Sequence, residues 1–316
     1  MSEKRIIAIT GATGAQGGGL ARAILNDKNS IFKVRAITRD VNSEKAKELK
    51  KLGAEVVAAN LDEPESLNKA FEGAYAAYCV TFYWAHMSPD REISNAHNLA
   101  KAAKHAGIKH AIWSTFTDTR KLVPLSDTRM PTLNGKYKVP HFDCKAEADH
   151  YFTDLGVPTT FLLTSFYWEN LIYFGEGPKK GADGKYSVTF PMGNKKLPSM
   201  TAEDIGKCAY GIFKLEKQLV GKTVGIAGEH ITMKKMAETL TKVLGIDILY
   251  NEVTPDVFRS FGFPGADDLG NMFQYNRDFE EDYCKARSLD FSRSLNPELM
   301  TFEKWVVKNK NLIPLQ

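Results

Sequence analysis

The first half of the chain alternates short apolar runs with amphipathic segments whose apolar residues recur at helical spacing. Buried parallel strands have near-continuous apolar sequences, and their alternation with helices is typical of a parallel sheet covered on both faces. The predicted strands are Arg5–Thr10, Lys33–Thr38, Glu55–Ala59, Ala76–Val80, His110–Ser114 and Thr159–Leu163. The predicted helices are Gly17–Asn26, Ser43–Leu52, Glu65–Phe71, Asp90–His105 and Phe142–Leu155.

This alternation predicts an α/β fold with a doubly wound parallel sheet, the Rossmann fold, because crossovers between parallel strands are right-handed. It ends near Ser165, after which glycine and proline become frequent. We therefore predict one domain over residues 1–165 and a smaller mixed α/β lobe over residues 166–316 that closes over the sheet's carboxyl edge. Part of residues 200–230 is expected to return to the first domain. Separate helices are expected at Met233–Leu244 and Pro255–Phe261.

The composition is that of an ordinary globular protein. The 316 residues are 43% hydrophobic and 25% charged, which allows a full core without cross-links. No apolar run approaches the ~18 residues of a membrane span, and the start MSEKRIIAIT lacks the features of a signal peptide. The four cysteines are far apart, which favours reduced thiols over disulfides or a zinc site. We expect a soluble cytoplasmic protein, with a nuclear location as the alternative.

Basic residues are concentrated between Lys101 and Lys145, where nine Lys and Arg residues accompany three Asp residues. A basic surface of this kind could serve an acidic partner. No interleaved aromatic residues or nucleic-acid-binding motif accompany the charges, which favours a solvated helix face and loop. We predict no direct binding of nucleic acid.

A glycine-rich heptad, Gly11 to Gly17 (GATGAQG), follows the first predicted strand and opens the first helix. In such a turn the glycines allow a tight bend, close approach of a pyrophosphate and close packing of the helix, whose N-terminus faces the phosphates. The strand–turn–helix context favours a dinucleotide site over a packing turn without ligand. The predicted contacts are Gly11, Thr13, Gly14, Ala15, Gln16 and Gly17.

The end of the second strand distinguishes the two nicotinamide cofactors. NAD-binding proteins usually place Asp or Glu there, about 20 residues after the glycines, to bind the ribose 2′-hydroxyl. This chain has Arg39 at the tip, and a guanidinium suits a 2′-phosphate by charge and by bidentate geometry. We therefore predict NADP(H), with Asp40 binding a hydroxyl of NAD as the alternative.

The third strand ends at Leu61 and Asp62, which are expected beside the adenine. The Asp62 carboxylate could accept a hydrogen bond from the exocyclic amine. The alternative role for Asp62 is to cap the helix that follows.

Several blocks along the chain resemble the NmrA-like family, an atypical branch of the short-chain dehydrogenase/reductase superfamily. Gly262–Phe273 is the most family-specific of them. The resembling blocks are Gly11–Gly17 (GATGAQG), Phe32–Arg39 (FKVRAITR), Leu52–Val56 (LGAEV), Val80–Trp84 (VTFYW), His141–Lys145 (HFDCK), Tyr167–Asn170 (YWEN) and Gly262–Phe273 (GFPGADDLGNMF).

The resemblance implies a Rossmann domain that binds NADP(H) through the glycine loop and Arg39. It also implies cofactor contacts from Thr81, Tyr83, Lys145 and the Phe166–Tyr167 segment. Relatives often carry Asn-Tyr where this chain has Phe82 and Tyr83, so a polar contact on the nicotinamide side is in question. Many members of the family act as sensors of the NADPH/NADP ratio through regulatory protein partners.

Catalytic members of the superfamily carry a Tyr four residues before a Lys on one helix, with a Ser from the fifth strand. Here Lys145 has His141 at the Tyr position. A histidine can transfer a proton, or it can simply begin the helix. Ser114, at the end of the fifth strand, is the candidate for the Ser role or a strand-ending hydroxyl. Lys145, His141 and Ser114 are therefore the candidate catalytic residues, and we favour no enzymatic activity because the Tyr is absent.

Two functions remain open. The first is a NADP(H)-responsive regulator of signalling or transcription that acts through protein partners. The second is an NADPH-dependent reductase of a small aromatic, enone or quinone-like compound. Six aromatic residues past the strand ends could line its pocket: Tyr83, Trp84, Phe116, Phe166, Tyr167 and Trp168. We favour the regulator, with the assembly state open between monomer and oligomer. Cys144, beside Lys145, is a candidate oxidation sensor if that lysine lowers the pKa of its thiol.

Overall fold

The computed structural model describes residues 3–316. The strands of the first half are β1 (Arg5–Ile9), β2 (Phe32–Thr38), β3 (Glu55–Ala58), β4 (Ala76–Cys79), β5 (His110–Thr115) and β6 (Thr159–Leu163). The helices between and after them are α1 (Ala15–Asn26), α2 (Glu44–Lys51), α3 (Pro64–Phe71), α4 (Pro89–His105), α5 (Pro140–Glu147) and α6 (Asp149–Asp154).

The second half adds shorter strands and eight further helices. The strands are β7 (Phe166–Tyr167), β8 (Lys179–Lys180), β9 (Tyr186–Phe190), β10 (Lys196–Met200), β11 (Thr223–Gly225), β12 (Glu229–Thr232) and β13 (Ile248–Glu252). The helices are α7 (Asn170–Tyr173), α8 (Ala202–Lys214), α9 (Met233–Leu244), α10 (Pro255–Arg259), α11 (Ala266–Asp278), α12 (Glu280–Lys285), α13 (Leu289–Leu295) and α14 (Phe302–Asn309). Short 3-10 turns lie at Tyr83–Ala85, Thr119–Lys121 and Glu216–Leu219.

The main sheet has seven parallel strands in the order β11-β6-β5-β4-β1-β2-β3. The predicted Rossmann fold is confirmed. Chain order reverses at β1, where Ile9 lies between Ala36 of β2 and Tyr78 of β4. Ligands of doubly wound sheets bind outside the carboxyl ends of the strands at this reversal. The glycine loop after β1 therefore occupies the ligand-binding edge.

The second half builds two three-stranded sheets, β12-β10-β7 and β13-β9-β8, with helices around a separate apolar core. β11 is the exception, because it pairs with β6 at the edge of the main sheet. The domain division at residue 165 stays a prediction. No helix within residues 3–316 combines the length and the apolar character needed to cross a membrane.

The predicted helix Phe142–Leu155 is wrong as a single element. It begins earlier, at Pro140, whose fixed backbone angle and missing N–H suit the first helical turn. It also breaks at Ala148, where one N–H is shared between the carbonyls of Cys144 and Lys145, 3.1 Å from each. Helix α5 thus ends two residues after Lys145, at Glu147, and α6 continues separately.

Candidate functional site

The glycine loop presents free backbone donors at the start of α1. Gly11 has a left-handed backbone, φ +58°, and its carbonyl accepts the N–H of Gly14 at 2.8 Å. The first turn of α1 holds no acidic side chain and has no side-chain cap. Within the described chain, no hydrogen bond occupies the N–H groups of Ala15, Gln16 and Gly17. Such donors, at the positive end of a helix, fit the pyrophosphate of a dinucleotide.

Gly17 lies too close to the preceding turn for any side chain. A Cβ there would stand 2.5 Å from the Gly11 oxygen and 2.8 Å from the Thr10 oxygen, both backbone atoms. Only glycine lets α1 begin against the end of β1. The third glycine of the motif therefore fixes the direction in which the helix presents its N–H groups.

We expect Gly17→Ala to abolish or strongly weaken dinucleotide binding, because the added methyl displaces the loop backbone. Overpacking of this kind costs roughly 1–3 kcal/mol of stability. Calorimetric titration with NADPH and thermal unfolding measure the two effects. Gly221→Ala is the matched control, since its φ of +76° makes alanine strained while its surroundings are open. If both variants bind NADPH like the wild type, the close contact at Gly17 does not shape the site.

Arg39 directly follows β2 and is exposed to solvent. No carboxylate in residues 3–316 forms an ion pair with it. The neighbouring Asp40 is engaged in its own turn, where its carboxylate accepts the N–H of Asn42 at 2.8 Å and its carbonyl accepts the hydroxyl of Ser43 at 3.0 Å. This arrangement favours Arg39 over Asp40 as the residue that meets the ribose 2′ position.

Asp62 is held by the first turn of α4. Arg91 donates to its two carboxylate oxygens at 3.2 and 2.5 Å, and this guanidinium lowers the pKa of Asp62. The alternative that Asp62 caps α3 is wrong, because the N-cap is Glu63 and it forms no side-chain cap. The Leu61 carbonyl accepts from Asn98 at 2.9 Å. Helix α4 thus fixes the loop expected beside the adenine, through Arg91, which the sequence analysis missed.

Gln16 joins the glycine loop to three strand ends. Its amide oxygen accepts the hydroxyls of Tyr78 at 2.5 Å and Ser114 at 2.9 Å. Its amide nitrogen donates to the Tyr167 hydroxyl at 2.5 Å. Ser114 is therefore tied to the cofactor loop, and its hydroxyl proton is directed to Gln16. Tyr78 was missed because its strand pattern shows only that it is buried.

Lys145 is buried at the carboxyl ends of β4 and β5. Its ammonium donates to the Thr81 hydroxyl, lies 2.5 Å from Glu92 Oε1 and sits 5.3 Å from the centre of the Trp113 ring. The structure thus brings together Lys145 and Thr81, two predicted cofactor contacts. It adds Glu92, which sequence reasoning missed. Burial would raise the pKa of Glu92, but Lys145 and its other donors outweigh burial and lower the pKa to about 2.

His141 forms a buried pair with a carboxylate of the second lobe. Its Nδ1 lies 2.6 Å from Asp268 Oδ1, and its backbone N–H donates to Asp268 Oδ2 at 3.1 Å. Both side chains are about nine-tenths buried or more. A carboxylate on Nδ1 fixes the orientation of the ring.

Helix α11 holds this pair and the preceding loop with one buried polar face. Asn271 Nδ2 donates to the carbonyls of Pro131 and Lys138, and Gln274 Nε2 donates to that of Arg129. Arg259 donates at 2.9 Å to both amide oxygens, which orients the two amides. Asp268, Asn271 and Gln274 recur every three residues on the helix. Asp268 and Asn271 of this face lie within the block Gly262–Phe273.

Five of the six predicted aromatic pocket residues divide into two groups, and the sixth, Tyr167, accepts a hydrogen bond from Gln16. Tyr83, Trp84 and Phe116 surround His141, with ring centres 6.0, 4.7 and 6.0 Å from the imidazole. Phe166 and Trp168 instead belong to the second core. Phe166 packs on Phe190 and Phe273, and Trp168 has no exposed surface, so a pocket role for Trp168 is wrong.

Sequence and structure comparisons agree on the relatives of this chain. The model of the NmrA-like family matches residues 3–306. The chain belongs to the NmrA-like family. An NmrA-like domain protein of Dictyostelium discoideum is 30% identical over 81% of this chain and 82% of its own length. The NmrA-like domain oxidoreductase ptmS of Penicillium ochrochloron is 26% identical over 93% of this chain and 90% of its own length.

Two solved structures share the fold of this NmrA-like chain. NmrA, a negative transcriptional regulator, in complex with NAD, superposes with a TM-score of 0.78 at 23% identity over 97% of this chain and 95% of that one. Triphenylmethane reductase of Citrobacter sp., complexed with NADP(H), superposes with a TM-score of 0.73 at 22% identity. The match covers 96% of this chain and 99% of the reductase. The predicted nicotinamide dinucleotide agrees with these neighbours and with the donors of the glycine loop.

The Cys144 thiol of this NmrA-like protein is not activated. Burial raises its pKa well above the usual value, and the opposing effect of Lys145 is smaller. The side chain has no exposed surface. The expectation that Lys145 lowers the pKa of this thiol is therefore wrong, because desolvation outweighs the neighbouring charge.

One turn beyond Lys145, Asp149 accepts hydrogen bonds from Thr115 at 2.7 Å and Trp113 at 2.8 Å. Burial raises its pKa from 3.8 to about 7, against the effect of these bonds. The folded chain therefore keeps a proton that the unfolded chain releases near pH 4. The contribution of protonated Asp149 to the free energy of unfolding therefore falls as pH rises from about 4 to about 7.

We expect Asp149→Asn to remove this pH dependence while the amide oxygen keeps accepting both hydrogen bonds. The melting temperature of the variant should rise relative to the wild type as pH increases from 4 to 8. Thermal unfolding across this range provides the test, with the nearby Asp154→Asn as control. A difference between variant and wild type that stays constant with pH contradicts the raised pKa.

Proposed function

We propose that this NmrA-like protein is an NADP(H)-dependent reductase in which His141 supplies the proton. The observation that carries the proposal is the buried His141–Asp268 pair, at 2.6 Å, one helical turn from Lys145. The acceptor we propose is a small aromatic, enone or quinone-like compound. Three aromatic rings around the imidazole suit such a flat acceptor.

The residues that would hold the cofactor follow the reversal point of the sheet. The N–H groups at the start of α1 would bind the pyrophosphate, and Arg39 would bind the 2′-phosphate. Thr81 and Lys145 would meet the ribose on the nicotinamide side. When bound, reduced NADP supplies a hydride.

His141 would complete the reduction by protonating the acceptor. Asp268 would orient the ring through Nδ1, so that Nε2–H could donate to an oxygen or carbon that has gained negative charge. The usual Tyr obtains its acidity from the neighbouring Lys. Here the proposed proton donor is His141, and its charge partner is Asp268 on α11. A histidine would thus take the place of the missing Tyr as the acid.

The names of relatives support the reductase. Several NmrA-like proteins with 26–30% identity to this chain are named oxidoreductases, including those of Penicillium ochrochloron and Malbranchea aurantiaca. Triphenylmethane reductase has the same fold. These names favour redox chemistry as the activity to test first.

The test is transfer of deuterium from NADPH labelled at nicotinamide C4 to a panel of quinones, enones and triphenylmethane dyes. A reductase consumes NADPH with at least one acceptor and transfers the label from one face of the ring. Tight NADPH binding without label transfer to any of these acceptors would reject the reductase.

The second candidate is the cofactor-responsive regulator. It is favoured by the loop between β4 and α4, where Phe82 and Met87 are 56% and 41% exposed beside the cofactor contact Thr81. Exposed apolar residues next to a ligand site suit a partner surface that responds to the ligand. Calorimetry with NADPH and NADP tests this function. Equal affinity for both oxidation states argues against a sensor, since a ligand shifts an equilibrium only through differential binding.

A further inference from the structure

Glu92 is a carboxylate without exposed surface in the first turn of α4. Carrying a charge into the interior is costly unless it is paired and hydrogen-bonded. Oε1 of Glu92 faces donors from other elements at the ligand-binding edge of the sheet.

Three groups converge on this carboxylate. Oε1 accepts the hydroxyl of Thr81 at 2.5 Å and lies 2.5 Å from Lys145 Nζ. Oε2 lies 3.2 Å from His86 Nε2. The Nδ1 of His86 accepts the N–H of Ser88 at 3.0 Å, so in the neutral ring the proton is on Nε2.

The ammonium of Lys145 is thereby fixed in place. An ammonium has three N–H donors. Glu92 and the Thr81 hydroxyl engage two of them, and the Thr81 carbonyl oxygen accepts a longer hydrogen bond at 3.4 Å. The face of Trp113 closes another side at 5.3 Å. The donor of the longer hydrogen bond is the one that a hydroxyl would engage at the carboxyl edge of β4 and β5, where the ribose next to the nicotinamide would lie.

We propose that Glu92 is a positioning residue for the nicotinamide half of the cofactor. It balances the buried charge of Lys145 and holds its ammonium at Thr81, so that the donor of the longer hydrogen bond lies ready for the ribose. This role rests on cofactor binding and not on hydride transfer, so it applies to a reductase and to a regulator alike. The adenine half, held by the glycine loop and Arg39, is independent of Glu92.

The test compares two ligands in calorimetry: NADPH, and adenosine 2′,5′-bisphosphate, which lacks the nicotinamide half. Glu92→Gln keeps the size and an acceptor oxygen but removes the charge. We expect its NADPH affinity to fall about tenfold or more. Its affinity for the bisphosphate should stay within about twofold of the wild type. Asp90→Asn, an exposed change on the same helical turn, is the matched control and should leave both affinities unchanged.

A double-mutant cycle separates positioning from general damage to the fold. If Glu92 acts through Lys145, Lys145→Met alone weakens NADPH binding, and adding Glu92→Gln causes little further loss. This comparison also decides the question if Glu92→Gln alone does not fold, because the double variant buries no unpaired charge. A further loss of about tenfold in the double variant overturns the proposal.

Three other results overturn the proposed role of Glu92 as well. Glu92→Gln that binds NADPH like the wild type shows that Lys145 needs no positioning. Equal loss of both ligands shows a general structural role for Glu92. A wild-type protein that binds the bisphosphate but not NADPH rejects the nicotinamide site altogether. A protein that binds NADPH normally but reduces no acceptor rejects only the reductase.

Discussion

We expect His141→Asn to lower the rate of NADPH-dependent reduction by about 10²–10⁴-fold, the usual contribution of a positioned proton donor. Asparagine can still accept or donate one hydrogen bond to Asp268, but it cannot release a proton near neutral pH. NADPH affinity should change little, because the cofactor contacts proposed here lie on other residues. Single-turnover oxidation of NADPH with a saturating acceptor measures the chemical step directly.

The control for this variant is His105→Asn, an exposed histidine at the end of α4. Asp268→Asn adds a second comparison, since the amide keeps a contact with the ring but carries no charge. It should lower the rate while NADPH still binds. Full turnover in both site variants would mean that the pair only docks α11 against α5 and that the proton comes from elsewhere.

We expect Arg39→Glu to weaken NADPH binding by about 100-fold, because it removes charge-assisted hydrogen bonds to the 2′-phosphate and places a like charge beside it. NADH, which lacks this phosphate, should bind as well as before or better. Calorimetric titration with both reduced cofactors gives the ratio of affinities. The expected result is a reversal of cofactor preference with no change in the melting temperature.

Lys51→Glu is the matched control, since this exposed lysine lies at the far end of the neighbouring helix α2. Asp40→Asn tests the alternative for the 2′ position. If Arg39→Glu leaves NADPH affinity unchanged while Asp40→Asn abolishes NADH binding, the preferred cofactor is NAD and Arg39 is a solvated surface residue.

The cofactor half of the site could be predicted from the sequence because its signals are local. The glycine loop and Arg39 each follow a strand directly, so a short pattern of apolar residues places them at the edge of the sheet. The alternation of strands and helices predicted the Rossmann fold for the same reason. Each of these predictions needed only residues within one β-α unit.

The sequence offered His141 as a candidate, but its partner Asp268 could not be predicted, because the two residues are distant in sequence. His141 and Asp268 are separated by 127 positions, and no local pattern joins a histidine at a helix start to a carboxylate on α11. Nor does periodicity show that Asn271 and Gln274 face protein and not water. Periodicity also does not show whether an aromatic residue after a strand end lines a pocket or a core. Phe166 and Trp168 belong to the second core.

Because α11 supplies the partner of His141, cofactor binding and the proposed proton transfer depend on distant parts of the chain. Dinucleotide binding would depend on residues near the amino terminus. The proposed acid, His141, instead depends on Asp268, a carboxylate in the second half of the chain. Under the proposed function, a single substitution at Asp268 leaves a protein that still binds the nicotinamide nucleotide but reduces its acceptor more slowly. An ancestor with this layout could give rise to enzymes and to sensors by changes on one helix, without any alteration to the way in which the nucleotide is recognised.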